Sequence, residues 1–147
     1  MMAVTSYWEG GYSCRIVARD KFELRADEPP DEGGADTGPR PTELLLAALA
    51  SCFTMALAYV ARKRGVELPR DLAVTAVGEY AGPRFRRMRV EASCSLPPAH
   101  LERLVRDAVP YCWVSNTIKG APELEFAAAE SLSEAVSEAA SQKFCPK

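Results

Sequence analysis

The sequence predicts an α+β fold, a mostly antiparallel sheet with a long central apolar helix. Three observations lead there. Apolar and polar residues alternate with a period of two on both sides of one long uncharged run, Leu44 to Ala61. The elements come in the order strands, long helix, strands, helix, strand. The chain has 147 residues, 48% of them hydrophobic, enough for one domain with a real core.

A first strand is expected at Ala3 to Trp8, broken by Gly10-Gly11. In Tyr12 to Arg19, the residues Tyr12, Cys14, Ile16 and Ala18 fall on one face. Asp20-Lys21 is expected to turn the chain. Phe22, Leu24 and Ala26 then alternate with Lys21, Glu23 and Arg25, the pattern of a hairpin. A loop rich in Pro, Gly and Asp follows, from Asp27 to Pro39.

Pro41 suits the first turn of a helix, where its missing N–H would have no partner anyway. Glu43 places negative charge near the positive end of the helix dipole. The helix is expected to run to about Arg64, with a basic last turn and Gly65 as its stop. Its uncharged run reaches the lower limit for a membrane span, about 17 residues. Its many alanines, with Ser51, Thr54 and Tyr59, fit a buried core helix instead. One small domain can hardly bury so apolar a helix, so a second copy of the chain is expected to share it in a homodimer.

Leu72, Val74, Ala76, Gly78 and Tyr80 alternate along the next strand, and Gly82-Pro83 turns the chain. Met88, Val90, Ala92, Cys94 and Leu96 share one face of the strand after it, with Arg87, Arg89 and Glu91 on the other. Pro97-Pro98 opens a second helix, with Leu101, Leu104, Val105 and Ala108 at helical spacing and Pro110 at its end. A turn of helix at Val114 to Ile118, a brief strand at Glu123 to Phe126 and a tail helix at Ser131 to Gln142 complete the order.

Composition narrows the function. The net charge of −2, with mixed signs, gives no overall pull toward nucleic acid or an anionic membrane. The N-terminus has neither a basic nor an apolar leader region, which points to the cytoplasm. Five widely spaced cysteines without a Cys-x-x-Cys pair do not form a secreted disulfide framework. The single histidine, His100, leaves no cluster with zinc-ligand spacing.

The cysteines carry the chemistry. Cys14 and Cys94 lie on apolar strand faces and read as structural thiols, and Cys145 near the C-terminus has no assigned role. Cys52 sits inside the apolar helix beside Ser51 and Thr54. Cys112 follows Pro110 and precedes a helix start, where backbone N–H groups favour a thiolate. Two thiols on separate packed elements can be brought together by the fold and cycle between oxidised and reduced states. A mid-helix thiol gains little from the dipole and needs a nearby cation or hydrogen-bond donors to ionise. Arg15, Arg19 and Arg40 are available, and spacing does not choose among them. Trp113 is expected in the core, partly lining a pocket.

Two segments resemble the OsmC/Ohr family of osmotically inducible and organic hydroperoxide resistance proteins. Gly38-Pro39-Arg40-Pro41-Thr42-Glu43-Leu44-Leu45-Leu46-Ala47-Ala48-Leu49-Ala50-Ser51-Cys52 is similar to its Pro-x-Glu-Leu-Leu helix start leading to a cysteine. Cys112-Trp113-Val114-Ser115-Asn116-Thr117-Ile118 is similar to its Cys-Pro-Val-Ser-x-x-Leu segment. The resemblance implies an intertwined α+β homodimer with sites at the dimer interface, formed by residues 1–130, with 131–147 as a helical tail. It implies a thiol-dependent peroxidase acting on organic hydroperoxides. Cys52 would be the peroxidatic thiolate and Cys112 the resolving thiol. A dithiol reductant, lipoylated protein in the hydroperoxide-resistance branch, would restore the pair without metal or organic cofactor. The alternative is a redox-sensing or small-ligand-binding relative without efficient turnover.

The match has three departures. Thr42 stands where the peroxidase branches carry glutamate, and Glu43 comes one residue later, turned about 100° round the helix. Tyr12 stands where they carry the activating arginine, with Arg15 the nearest substitute. Trp113 replaces the proline after the second cysteine. Glu43, Arg15 and Arg40 are therefore the candidate supporting residues for Cys52.

Overall fold

Period-two alternation at the start of the chain builds a three-stranded antiparallel meander in the order β1-β2-β3. Its strands are β1 (Val4–Gly10), β2 (Ser13–Ala18) and β3 (Phe22–Ala26). The structure, a computed structural model, describes residues 2–128. The expected tail helix and Cys145 lie outside the described residues. The chain divides into two compact units. The meander belongs to the first, which runs to Pro41 and includes the segment from Leu124 onward. Thr42–Glu123 forms the second.

In the meander, Trp8 pairs with Cys14 and Cys14 with Ala26, while Ser6 pairs with Ile16 and Ile16 with Leu24. Cys14, Ile16 and Ala18 thus share an apolar face with Trp8, Phe22 and Leu24, as the alternation predicts. Charge takes the other face. Arg25 Nη1 meets Glu9 at 3.0 Å, and Arg15 lies between Glu9 at 3.6 Å and Glu23 at 3.0 Å. The β2–β3 turn centres one residue earlier than expected. Arg19 and Asp20 both have positive φ, 55° and 50°, and Lys21 N–H donates to the Ala18 carbonyl. Such a pair gives the turn a twist that suits antiparallel strands.

The loop after β3 is closed by one buried carboxylate. Asp27 Oδ1 accepts from Glu28 N–H at 2.8 Å. Its Oδ2 accepts from Ala35 N–H, Thr37 N–H and the Thr37 hydroxyl at 3.3, 3.2 and 2.7 Å. Asp27 N–H donates to the Pro39 carbonyl at 3.2 Å. Glycine is required twice within the loop. A Cβ at Gly34 would collide with the Glu28 carbonyl, and one at Gly38 would lie 2.6 Å from the Arg25 carbonyl oxygen.

The second unit is built on α1 (Pro41–Lys63), which begins at the expected proline and ends one residue before the expected arginine. Its buried residues Leu49, Phe53, Ala56, Leu57, Val60 and Ala61 recur at helical spacing and form the main core stripe. An antiparallel pair, β4 (Ala73–Tyr80) and β5 (Phe85–Ser93), supplies the layer opposite. Val74 faces Ala92, Ala76 faces Val90 and Gly78 faces Met88 across that pair. These positions are half-buried and most pack on the core, while Thr75, Val77, Arg89 and Glu91 point outward. Next come α2 (Pro98–Ala108), which adds Leu104 and Ala108 to the core, a 3₁₀ turn at Val109–Tyr111, and α3 (Trp113–Gly120).

The α+β class with antiparallel strands holds, and the strands form two sheets, each in its own unit. One expected element needs correction. The brief strand at Glu123 to Phe126 does not form: 121–128 has no regular structure, and Leu124 and Phe126 are exposed. Alternation alone does not hold a strand that has no ladder partner for its backbone groups. The long helix is buried along one face only. Its opposite face, with Ala48, Met55 and Ala58, is exposed. Among the described residues α1 is the one helix long and apolar enough to cross a membrane, and 33% of its most apolar window is buried.

Candidate functional site

Cys52 lies on the core stripe of α1, three residues after Leu49 and four before Ala56. It is half-buried and packs against the hydrophobic cluster of the second unit. Its hydroxyl neighbours face the helix backbone. Ser51 Oγ donates to the Ala48 carbonyl at 3.2 Å and Thr54 Oγ1 to the Ala50 carbonyl at 3.0 Å. This back-bonding is common for hydroxyls inside apolar helices.

Cys112 is fully buried and belongs to the same cluster. Both thiols are free. Cys112 is the N-cap residue of α3, with extended backbone at φ −85° and ψ 96°, and its side chain makes no capping bond. Its carbonyl accepts from Asn116 N–H at 3.0 Å and from Ser115 Oγ at 3.0 Å. The Asn116 amide reaches further back and donates to the Pro110 carbonyl at 3.0 Å. The fold thus places the two sequence-predicted thiols on one apolar cluster, from a helix middle and a helix start.

The expected place of Trp113 is corrected. It is 72% exposed at the first position of α3 and does not fill the core. A first-turn residue has an N–H without an intrahelical partner, so tryptophan stands where proline would serve equally well. His100, early in α2, is exposed.

The candidate supporting residues divide between the units. Arg15 lies in the first unit, on the charged face of the meander, and its guanidinium also stands 4.7 Å from the Tyr7 ring centroid. Arg40 is in the same unit, bonded to Glu28 at 3.4 Å and Glu32 at 3.0 Å. Glu43 is exposed in the first turn of α1, within the second unit. Beside it, Thr42 Oγ1 accepts from the Tyr80 hydroxyl at 2.9 Å. Among the described residues, no group of three or more His, Cys, Asp or Glu side chains comes together to hold a metal.

Sequence reasoning did not single out Asp27, Asn116, Tyr59 or Tyr111. An aspartate opening a Pro/Gly-rich loop, with a threonine ten residues on, is a weak sign of a side chain that organises a turn. The two tyrosines meet at a ring-centroid distance of 4.9 Å across α1 and the 3₁₀ turn, and nothing in their spacing foretells that.

Comparison with known proteins gives a consistent result. The chain matches the family model described as OsmC-like protein over residues 33–127. It is 32% identical over 117 residues to the organic hydroperoxide resistance protein of Xanthomonas axonopodis pv. citri (strain 306), covering 76% of this chain and 82% of that protein. The protein of the same name from Xanthomonas campestris pv. phaseoli matches equally. Among solved structures, the organic hydroperoxide resistance protein OsmC of Legionella pneumophila superposes with a TM-score of 0.61 at 23% identity, covering 82% of this chain and 90% of that one. An OsmC-like protein of Mycoplasma pneumoniae gives 0.67 at 17% identity, over 82% of this chain and 88% of that one. Both likenesses are of fold.

Proposed function

Because this chain belongs to the OsmC-like protein family, we propose that it confers resistance to organic hydroperoxides as a thiol-dependent peroxidase. The observation that carries this reading is the placement of two free thiols, Cys52 and Cys112, on one buried apolar cluster. The relatives that are 32% identical are named for organic hydroperoxide resistance.

In this reading the Cys52 thiolate attacks one oxygen of the peroxide and the O–O bond breaks. The alcohol leaves with a proton, and Cys52 becomes a sulfenic acid, oxidised by two electrons. Cys112 then attacks the sulfenic sulfur, the S–S bond forms and water departs. An external dithiol, of which lipoylated protein is one example, reduces the disulfide through a mixed disulfide. The apolar surroundings of Cys52 favour an organic peroxide over a small polar one. Glu43 stands in the same unit as Cys52, and substitution of Arg15, Arg40 or Glu43 one at a time tests which of them supports the thiolate. The reaction needs no metal or organic cofactor. We place the protein in the cytoplasm, as a homodimer that covers the exposed face of α1, and read that helix as a subunit contact rather than a membrane span.

The rival reading, a redox sensor or small-ligand binder without efficient turnover, draws on Thr42. That position carries a hydroxyl bonded to Tyr80 where the resemblance asks for a carboxylate. One assay separates the two. With dihydrolipoamide as reductant, the wild type is expected to consume cumene hydroperoxide catalytically and Cys52→Ser to lose that activity by at least a hundredfold. Cys112→Ser is expected to stop at the sulfenic acid or to overoxidise, seen by mass spectrometry. Equal, slow consumption by wild type and Cys52→Ser would establish the rival.

A further inference from the structure

We propose that the Tyr59–Tyr111 ring contact is a latch that sets the approach of Cys112 to Cys52, and that both tyrosines are positioning residues for disulfide closure. The inference rests on the peroxidase reading above and deepens it.

Tyr59 follows Cys52 by seven residues, which places it about 10.5 Å further along the axis and within about 20° of the same side. Tyr111 immediately precedes Cys112. The two rings lie 4.9 Å apart, tilted at 52°, within the range where aromatic pairs attract. Lys63 Nζ stands 5.9 Å from one ring centroid and 5.8 Å from the other, close enough to favour the paired arrangement. The contact therefore ties the segment carrying Cys112 to the helix carrying Cys52. Phe53, Ala56 and Leu57, which lie between Cys52 and Tyr59, share the buried cluster with Cys112.

A second constraint acts from the other side. The Asn116 amide donates to the Pro110 carbonyl, and its backbone N–H donates to the Cys112 carbonyl. Together they close the turn around Cys112, so little slack remains between Tyr111 and the thiol. Closing a disulfide requires the two Cα atoms within about 7 Å and the β-carbons facing. A turn free to swing away from α1 would meet that geometry only part of the time.

The rings are suited to this task rather than to filling the core. Tyr59 is 40% exposed and Tyr111 42% exposed, so removing either ring opens no buried cavity. Ring contact does not need the hydroxyls, so phenylalanine should serve at both positions.

Closure competes with a second oxidation. In closure, Cys112 attacks the Cys52 sulfenic sulfur, the S–O bond breaks and water leaves. In the competing step another hydroperoxide transfers an oxygen to the same sulfur, giving sulfinic acid and the alcohol. Slower closure therefore shows as more sulfinic acid.

The test is single-turnover oxidation of the full-length reduced protein by cumene hydroperoxide, with sulfenate, disulfide and sulfinate resolved by mass spectrometry. Tyr59→Ala and Tyr111→Ala are expected to form the sulfenate at the wild-type rate and to close the disulfide about tenfold or more slowly, as misplaced reacting groups do. Sulfinic acid should rise with peroxide concentration in both. Tyr59→Phe and Tyr111→Phe are expected to restore wild-type closure. If Tyr111→Ala does not fold, Tyr59→Ala, on a helix flank, carries the test. Wild-type closure in the alanine variants, or slow closure in the phenylalanine variants, overturns the latch. A wild type that forms no disulfide with peroxide overturns the peroxidase reading and the latch with it.

Discussion

Asp27 organises the loop that leads into α1 through its side chain. It is 1% exposed, yet its carboxylate accepts four hydrogen bonds from the loop that leads into α1. The Thr37 hydroxyl bond is the largest influence on its ionisation. Together with the backbone donors of Thr37, Glu28 and Ala35, it outweighs desolvation and holds the carboxyl below its ordinary value of 3.8. A carboxylate depressed in the folded state stabilises that state above the unfolded pKa, and the contribution fades as pH falls through the folded one. Asp27→Asn removes the charge and turns an amide toward donors. It is expected to lower Tm clearly at pH 7 and progressively less below about pH 4. Thermal unfolding of both proteins from pH 7 to pH 3 checks this, and a Tm gap that does not change with pH would refute it. The sequence marks residues 27–39 as a loop by their Pro, Gly and Asp content. It does not mark Asp27 as the buried acceptor, because that role depends on where the loop folds back.

Helix α1 shows what periodicity can and cannot reveal. Pro41 at its start and Gly65 after its end are visible in the sequence because caps are local chemistry. Which face is buried is harder to see, because the run from Leu44 to Ala61 is apolar all round and gives no contrast. Packing makes the choice. Leu57 becomes fully buried, whereas Met55, only two residues earlier, is 70% exposed. Leu57→Ala is expected to cost about 2–5 kcal/mol of stability. Urea unfolding of the pure protein measures it, and a loss below about 1 kcal/mol would show that the site collapses freely. The strands illustrate the converse case. β2, β3, β4 and β5 all follow visible alternation, because each has a hydrogen-bonded neighbour. Residues 123–126 alternate too, but among the described residues nothing pairs with them.

For the whole molecule, the question is what covers the remaining apolar surface. Trp8, Phe22 and Leu24 are exposed on the apolar face of the meander, and Leu45, Met55 and Tyr59 are exposed on α1. A three-stranded sheet needs a packed face to be stable. An exposed apolar sheet face or helix face of this kind marks an interaction site. A dimer of identical chains is the simplest cover, and sedimentation equilibrium at micromolar concentration is expected to give twice the chain mass. Met55→Glu, in the middle of the exposed helix face, is expected to shift the protein toward monomer. A monomeric wild type would exclude the dimer. The sequence by itself determined the α+β class, the order of the elements from β1 to α3, the caps of the long helix and the two thiols worth testing. All of these are written in local spacing and residue chemistry. Only the tertiary structure decided that Cys52 and Cys112 share one cluster, that Trp113 faces outward, and that Tyr59 meets the ring of Tyr111. Cys52 and Tyr59 lie far in sequence from Cys112 and Tyr111, and only folding, which exchanges chain entropy for burial, brings them together.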